Sequence, residues 1–154
     1  MNKFLLTSFL FLLFLTHCGF SVISNNANYN ILELITEGDK KINYSLKNKL
    51  QQTSKKNNEN NLKLEIDTKK IKTIKEKNIS NQITKYEIKI VTKIKYSIIS
   101  KEISGSFNIS KSGIYNVSSR HSETLNNENN LIGLLVDDLS ENILENLAAE
   151  INDL

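Results

Sequence analysis

The hydrophobic positions fall into runs of different period, and each run predicts an element. Residues 30–35 (NILELI) crowd Ile31, Leu32, Leu34 and Ile35 into one short stretch, the mark of a mostly buried strand. Gly38-Asp39 supplies a turn and a helix N-cap. From Lys40 to about Gln52, Ile42, Leu46 and Leu50 recur every four residues, a thin helical stripe. Residues 51–61 (QQTSKKNNENN) have nothing to bury and read as a solvated loop.

The period then changes to two. Leu62, Leu64 and Ile66 alternate with Lys63, Glu65 and Asp67, and a second run through Ile71 and Ile74 predicts the same strand continuing after a bulge. A turn follows near Lys77 to Asn81. From Thr84 to Ser100, Tyr86, Ile88, Ile90, Thr92, Ile94, Tyr96 and Ile98 point one way. Lys85, Glu87, Lys89, Val91, Lys93, Lys95 and Ser97 point the other, which makes a long strand with one buried and one basic face. A fourth strand starts after Gly105 and runs through Phe107 and Ile109, with Ser112-Gly113 as a candidate break before Tyr115 and Val117. From about Asn129 to Asp153, Ile132, Leu135, Val136, Leu139, Ile143, Leu147, Ile151 and Leu154 step by three or four, a stripe wide enough to face a sheet.

The order β-α-β-β-β-α predicts an α+β fold, a four-stranded, mostly antiparallel sheet with two helices packed on one face. Short turns join the strands after the first helix, so those strands are expected to be antiparallel.

The first residues are of another kind. Lys3 is followed by an uncharged apolar run of 12 residues, Phe4 to Leu15 (FLLTSFLFLLFL), and a polar break, the n- and h-regions of an export signal. The single cysteine, Cys18, stands at the end of that run in the sequence Leu15-Thr16-His17-Cys18. That position makes it a candidate lipid-attachment residue of a bacterial lipoprotein, although His17 occupies a position where a small residue is expected. Residues 1–17 are then signal, 18–29 a tether and 30–154 a single domain. Two other readings stay open: an exported protein cut nearby without acylation, or an uncleaved anchor through the uncharged stretch Phe4 to Ile23.

Net charge, +3 over the whole chain, says little, but its distribution says more. Between Lys40 and Arg120 there are 19 basic and 6 acidic residues, whereas His121 to Leu154 holds 8 acidic residues and no lysine or arginine. Such a segregated field draws an anionic ligand to one part of the surface.

Catalytic chemistry is not signalled. Beyond the signal there is one histidine, His121, there is no metal-ligand spacing, and the five glycines form no phosphate-binding loop. The sequence therefore predicts neither an enzyme nor a cofactor. The basic strand face is the remaining candidate, with Lys85, Lys89, Lys93 and Lys95 on one strand and Lys63, Lys69 and Lys72 expected beside them. An exposed strand in a lysine-rich chain collects lysine by default; the functional reading is a face for a phosphorylated lipid. Nucleic acid fits poorly, because no aromatic side chains stand between these lysines and the export signal takes the chain out of the cytoplasm.

Cys18-Gly19-Phe20 after the signal, the KYEIKI strand at 85–90 and the SETLNNENNLIGLL entry into the last helix at 122–135 together resemble the LPS-assembly lipoprotein family, LptE. The resemblance spans essentially the whole chain after the signal. It implies a non-enzymatic, lipid-anchored protein of the outer membrane, facing the periplasm. Such a protein plugs an LptD-type β-barrel, helps it assemble and takes part in lipopolysaccharide transport to the outer leaflet. It also implies lipopolysaccharide binding through basic residues of the sheet, carried here onto Lys89, Lys93 and Lys95. The reading without the resemblance is an exported or periplasm-facing lipoprotein that acts alone on an anionic lipid or small ligand.

Overall fold

The structure is a computed structural model, which describes residues 29–54 and 60–152. Cys18, the signal segment and Leu154 lie outside them. Strand β1 (Asn30–Gly38) leads into helix α1 (Lys40–Thr53), followed by strands β2 (Asn61–Lys77), β3 (Ile83–Ile98) and β4 (Ile103–Asn116) and helix α2 (His121–Asn152). The sheet order is β1-β2-β3-β4; β1 pairs with β2 in parallel and the other two pairings are antiparallel. This is the α+β architecture that the periodicities predict, with the one parallel pair forced by the helix between β1 and β2.

One core lies between the sheet and the two helices. Leu62, Leu64 and Ile66 of β2 and Ile90, Ile94 and Ile98 of β3 meet Ile42, Leu46 and Leu50 of α1 and Leu139, Ile143 and Leu147 of α2. All are nearly or fully buried, and each such side chain contributes roughly 1.5–3 kcal/mol. Tyr29, 1% exposed, closes the core just before β1; burial raises its phenol pKa to about 12, against the lowering effect of a hydrogen bond with Thr53. The Thr92 hydroxyl, also in this core, has no hydrogen-bond partner among the described residues.

The turn from β1 into α1 is built as expected and then reinforced. Asp39 caps the helix, its Oδ1 accepting from the backbone N–H groups of Lys41 and Ile42, both at 3.1 Å. Gly38 has φ +93°, and a Cβ there would stand 1.9 Å from the Thr68 carbonyl oxygen, so this corner admits only glycine. Inside it, buried Asn43 donates to the Glu37 carbonyl at 2.7 Å and accepts from Thr68 Oγ1 at 2.7 Å.

Three expectations about the elements need correction. β2 has no bulge between Ile66 and Ile71; its irregularities fall between Ile74 and Lys77. The alternation instead continues unbroken, so Thr68, Lys70 and Lys72 take the helix-facing positions and Ile71 turns to the open face. β4 does not break at Ser112-Gly113 but runs straight through. Gly113 sits where a Cβ would lie 2.5 Å from Leu131 Cδ1, so it makes room for α2. Finally, α2 begins at His121, about two turns before the expected start at Asn129. Its first turn is held by polar groups: Ser118 Oγ bonds Glu123, the Ser118 N–H donates to Thr124 Oγ1 at 2.9 Å, and Arg120 pairs with Glu123 at 3.2 Å.

Candidate functional site

The helices cover one face of the sheet, and no described residue covers the other. Strand register fixes what this open face presents. Across β1 to β4, its rows read Glu33-Lys63-Ser97-Ser104, Ile35-Glu65-Lys95-Ser106 and Glu37-Asp67-Lys93-Asn108, then Lys69-Val91-Ser110 and Ile71-Lys89-Ser112. The first three rows hold four carboxylates and three lysines. The next two hold Lys69 and Lys89 with no acid.

Lys89, Lys93 and Lys95 thus share the open face, and all three are exposed. Their settings differ. Lys95 Nζ lies 3.5 Å from Glu65, while Lys89 and Lys93 make no ion pair among the described residues. Lys63 is held 3.0 Å from Glu33, whose hydrogen bond and charge raise its pKa. Lys75 stands 3.8 Å from Glu87, and Lys85 is 2.6 Å from Glu76, holding that carboxyl below its ordinary pKa. A shallow depression beside β1 is lined by Ile35, Glu37, Glu65, Asp67, Lys93 and Lys95. The open face is therefore a lattice of alternating charge, more balanced than a count of lysines suggests. Periodicity already set Glu65 and Asp67 on the polar face of β2; Glu33 and Glu37 were missed because they come from β1, whose pairing partner only the fold reveals.

Lys72 does not belong to this face. It pairs across the strands with buried Ile88, and its amine reaches the helix side. There Nζ lies 2.7 Å from Glu128 of α2, 4.4 Å from the Tyr86 ring centroid and 5.3 Å from that of Tyr115. The Tyr115 hydroxyl donates to the same carboxylate at 2.8 Å. Burial works against charge on Glu128, but the bonds from Lys72 and Tyr115 outweigh it and lower its pKa. For Lys72, burial is likewise outweighed by Glu128 and Tyr115, and its pKa rises. This cluster fastens α2 to the sheet; it is not a ligand site. On the opposite end of the helix face, the Tyr96 hydroxyl donates to Glu150 at 2.7 Å, and burial followed by that bond raises its pKa to about 12.

No helix among the described residues is long and apolar enough to cross a membrane. Among them, no three His, Cys, Asp or Glu side chains gather as metal ligands.

No protein-family model matches the chain, and no curated protein matches its sequence. Solved structures do match its fold. Rare lipoprotein B from Shewanella oneidensis superposes with a TM-score of 0.59 at 14% identity, over 78% of this chain and 97% of that one. An uncharacterized lipoprotein B from Nitrosomonas europaea gives 0.58 at 11% identity, over 81% and 88% of the two chains. A putative lipoprotein from Caulobacter crescentus gives 0.55 at 8% identity, over 77% and 90%. The described domain thus shares its fold with these three bacterial proteins.

Proposed function

We propose that this chain is a lipoprotein of the outer membrane, acylated at Cys18, that plugs and helps assemble an LptD-type β-barrel. Through it, the chain takes part in moving lipopolysaccharide to the outer leaflet. The role is non-enzymatic. The observation that carries the reading is the open sheet face, on a fold shared with rare lipoprotein B. A sheet that is apolar on one side needs only its two helices to complete a core. Its other side, tiled with Lys, Glu, Asp, Ser and Asn, suits a polar, water-filled lumen such as a large barrel encloses.

Lipopolysaccharide would meet the same face through its phosphates, which lysine binds as point charges. Within the trio Lys89, Lys93 and Lys95, Lys89 is the one with no carboxylate in its own cross-strand row. Lys69, one row away, likewise has no acid in its row.

Retention of partners tests the assembly role. Tagged protein is extracted from membranes in mild detergent, pulled down and analysed by mass spectrometry. A near-equimolar outer-membrane barrel is the expected result. A folded protein recovered alone favours the other reading, an exported or periplasm-facing lipoprotein that binds an anionic lipid or small ligand by itself.

A further inference from the structure

The two edges of the sheet are built differently. β1 has 9 residues, carries Glu33 and Glu37 on the open face and has a register shift between Ile31 and Glu33. Charge and irregularity are the usual protections of an edge strand. β4 has 14 residues, pairs with β3 without a register shift and carries one charged side chain, Lys111. Its outer backbone groups meet no further strand among the described residues. Phe107 and Ile109, on its helix side, stop half-buried.

We propose that β4 is a self-pairing edge. Two copies of this chain join through antiparallel β4 strands about a two-fold axis at Asn108, forming one eight-stranded sheet. The side chains identify the occupant. On the open face, Ser104, Ser106, Asn108, Ser110 and Ser112 read the same in both directions, and all are exposed. Asn108 therefore faces the Asn108 of the second copy, Ser106 faces Ser110 and Ser104 faces Ser112. On the helix face, the same axis sets Phe107 against Ile109, Gly105 against Lys111 and Ile103 against Gly113. Large thus meets small at both glycine pairs, in addition to the room that Gly113 leaves for Leu131.

Cross-strand pairs of this kind stabilise a sheet, whereas like charges placed opposite each other destabilise it. The neutral row on β4 presents no such conflict, while β1 would set carboxylates against carboxylates. An isologous contact of this kind closes on itself, so the remaining edges are two copies of the protected β1 and assembly stops at the dimer. The pairing does not depend on the barrel role and belongs to copies outside a barrel, since one seated in a lumen cannot extend its sheet; retention of a barrel and self-association are separate measurements.

The test uses the full-length chain in mild detergent. Analytical ultracentrifugation from about 1 to about 500 µM is expected to show a concentration-dependent monomer–dimer equilibrium. Facing Cα atoms in such a pair lie about 4.5–5.5 Å apart, within disulfide reach. Oxidised Asn108→Cys protein should therefore cross-link to itself, while Ser104→Cys and Ser112→Cys should cross-link only when mixed. The unsubstituted chain, which keeps Cys18, sets the background. Asn108→Lys places like charges opposite each other at an exposed position, and should weaken the dimer about fivefold or more with the unfolding midpoint unchanged. A monomer throughout the range overturns the proposal. So does a dimer that ignores Asn108→Lys and leaves Asn108→Cys unlinked.

Discussion

The two ends of the β2–β3 ribbon share a backbone and differ in what holds them to the helices. At the near end, the helix-facing pairs are Leu62 with Ile98, Leu64 with Tyr96 and Ile66 with Ile94. At the far end they are Lys72 with Ile88 and Ile74 with Tyr86. The near end is held mainly by buried aliphatic surface, which is non-directional and indifferent to pH, with one polar bond at its margin, from Tyr96 to Glu150. The far end is held by one carboxylate, Glu128, shared between an ammonium and a phenol beside two stacked rings 5.7 Å apart. One sheet is thus attached to the helix layer by two kinds of force, and only the polar one can be titrated.

The largest break in that comparison comes from emptying the near end. Ile94→Ala leaves a cavity in a fully buried site and should cost about 3 kcal/mol, read from the denaturant midpoint. A loss no greater than that from the far-end substitution would erase the distinction.

Glu128→Gln keeps the shape of the far end and removes its charge. Lys72 is 38% exposed, so solvent screens the pair, and the expected loss near neutral pH is about 1 kcal/mol. Because the folded-state pKa of Glu128 is depressed below 4.5, its contribution is present above that value. The wild-type advantage should therefore vanish as pH falls through the depressed pKa. Because the pKa of Lys72 is raised above 10.5, the same advantage should also be lost as pH rises through that value. Thermal unfolding of both proteins across the acid and alkaline ranges checks this; coincident curves would show that the cluster contributes nothing.

The smallest effect on stability belongs to the open face, where no packing is at stake. Replacing Lys89, Lys93 and Lys95 together with glutamine should cost about 1 kcal/mol or less, because only exposed pairs are lost, whereas glutamate would also set like charges opposite Asp67 and Glu65. Lipopolysaccharide affinity should nonetheless fall. Unchanged affinity at low salt would remove these lysines from the binding reading.

Where side chains alternate strictly between apolar and polar, the fold was legible. The stripes at Ile42, Leu46 and Leu50 and at Leu135, Leu139 and Ile143 mark their helices, and Tyr86 to Ile98 mark β3 with the correct faces. Legibility failed where a polar residue takes a core-facing position. Lys70 and Lys72 continue the inward row of β2 because Asp39 and Glu128 wait opposite them, at 3.8 and 2.7 Å, on elements distant in sequence. Read locally, they look like surface residues and invite a bulge. The start of α2 was hidden for a similar reason: Ser122 to Asn127 bury little, and the turn is held by side-chain bonds that periodicity does not record. The trio Lys89, Lys93 and Lys95 was correctly placed on one face, but the neutralising acids across from it depend on strand register.

Tyr29 has a mechanical consequence. It is the first described residue and is buried to 1% exposure, and Asn30 and Ile31 after it bond immediately to the Asn60 carbonyl at 2.9 Å and to Ser54 Oγ at 2.8 Å. Tension that reaches Tyr29 therefore enters the domain through the core and the β1–β2 seam at once. A chain held by that end is gripped at its core, while the β2–β3 hairpin tip and the β4 edge lie away from the point of attachment and remain available for contact.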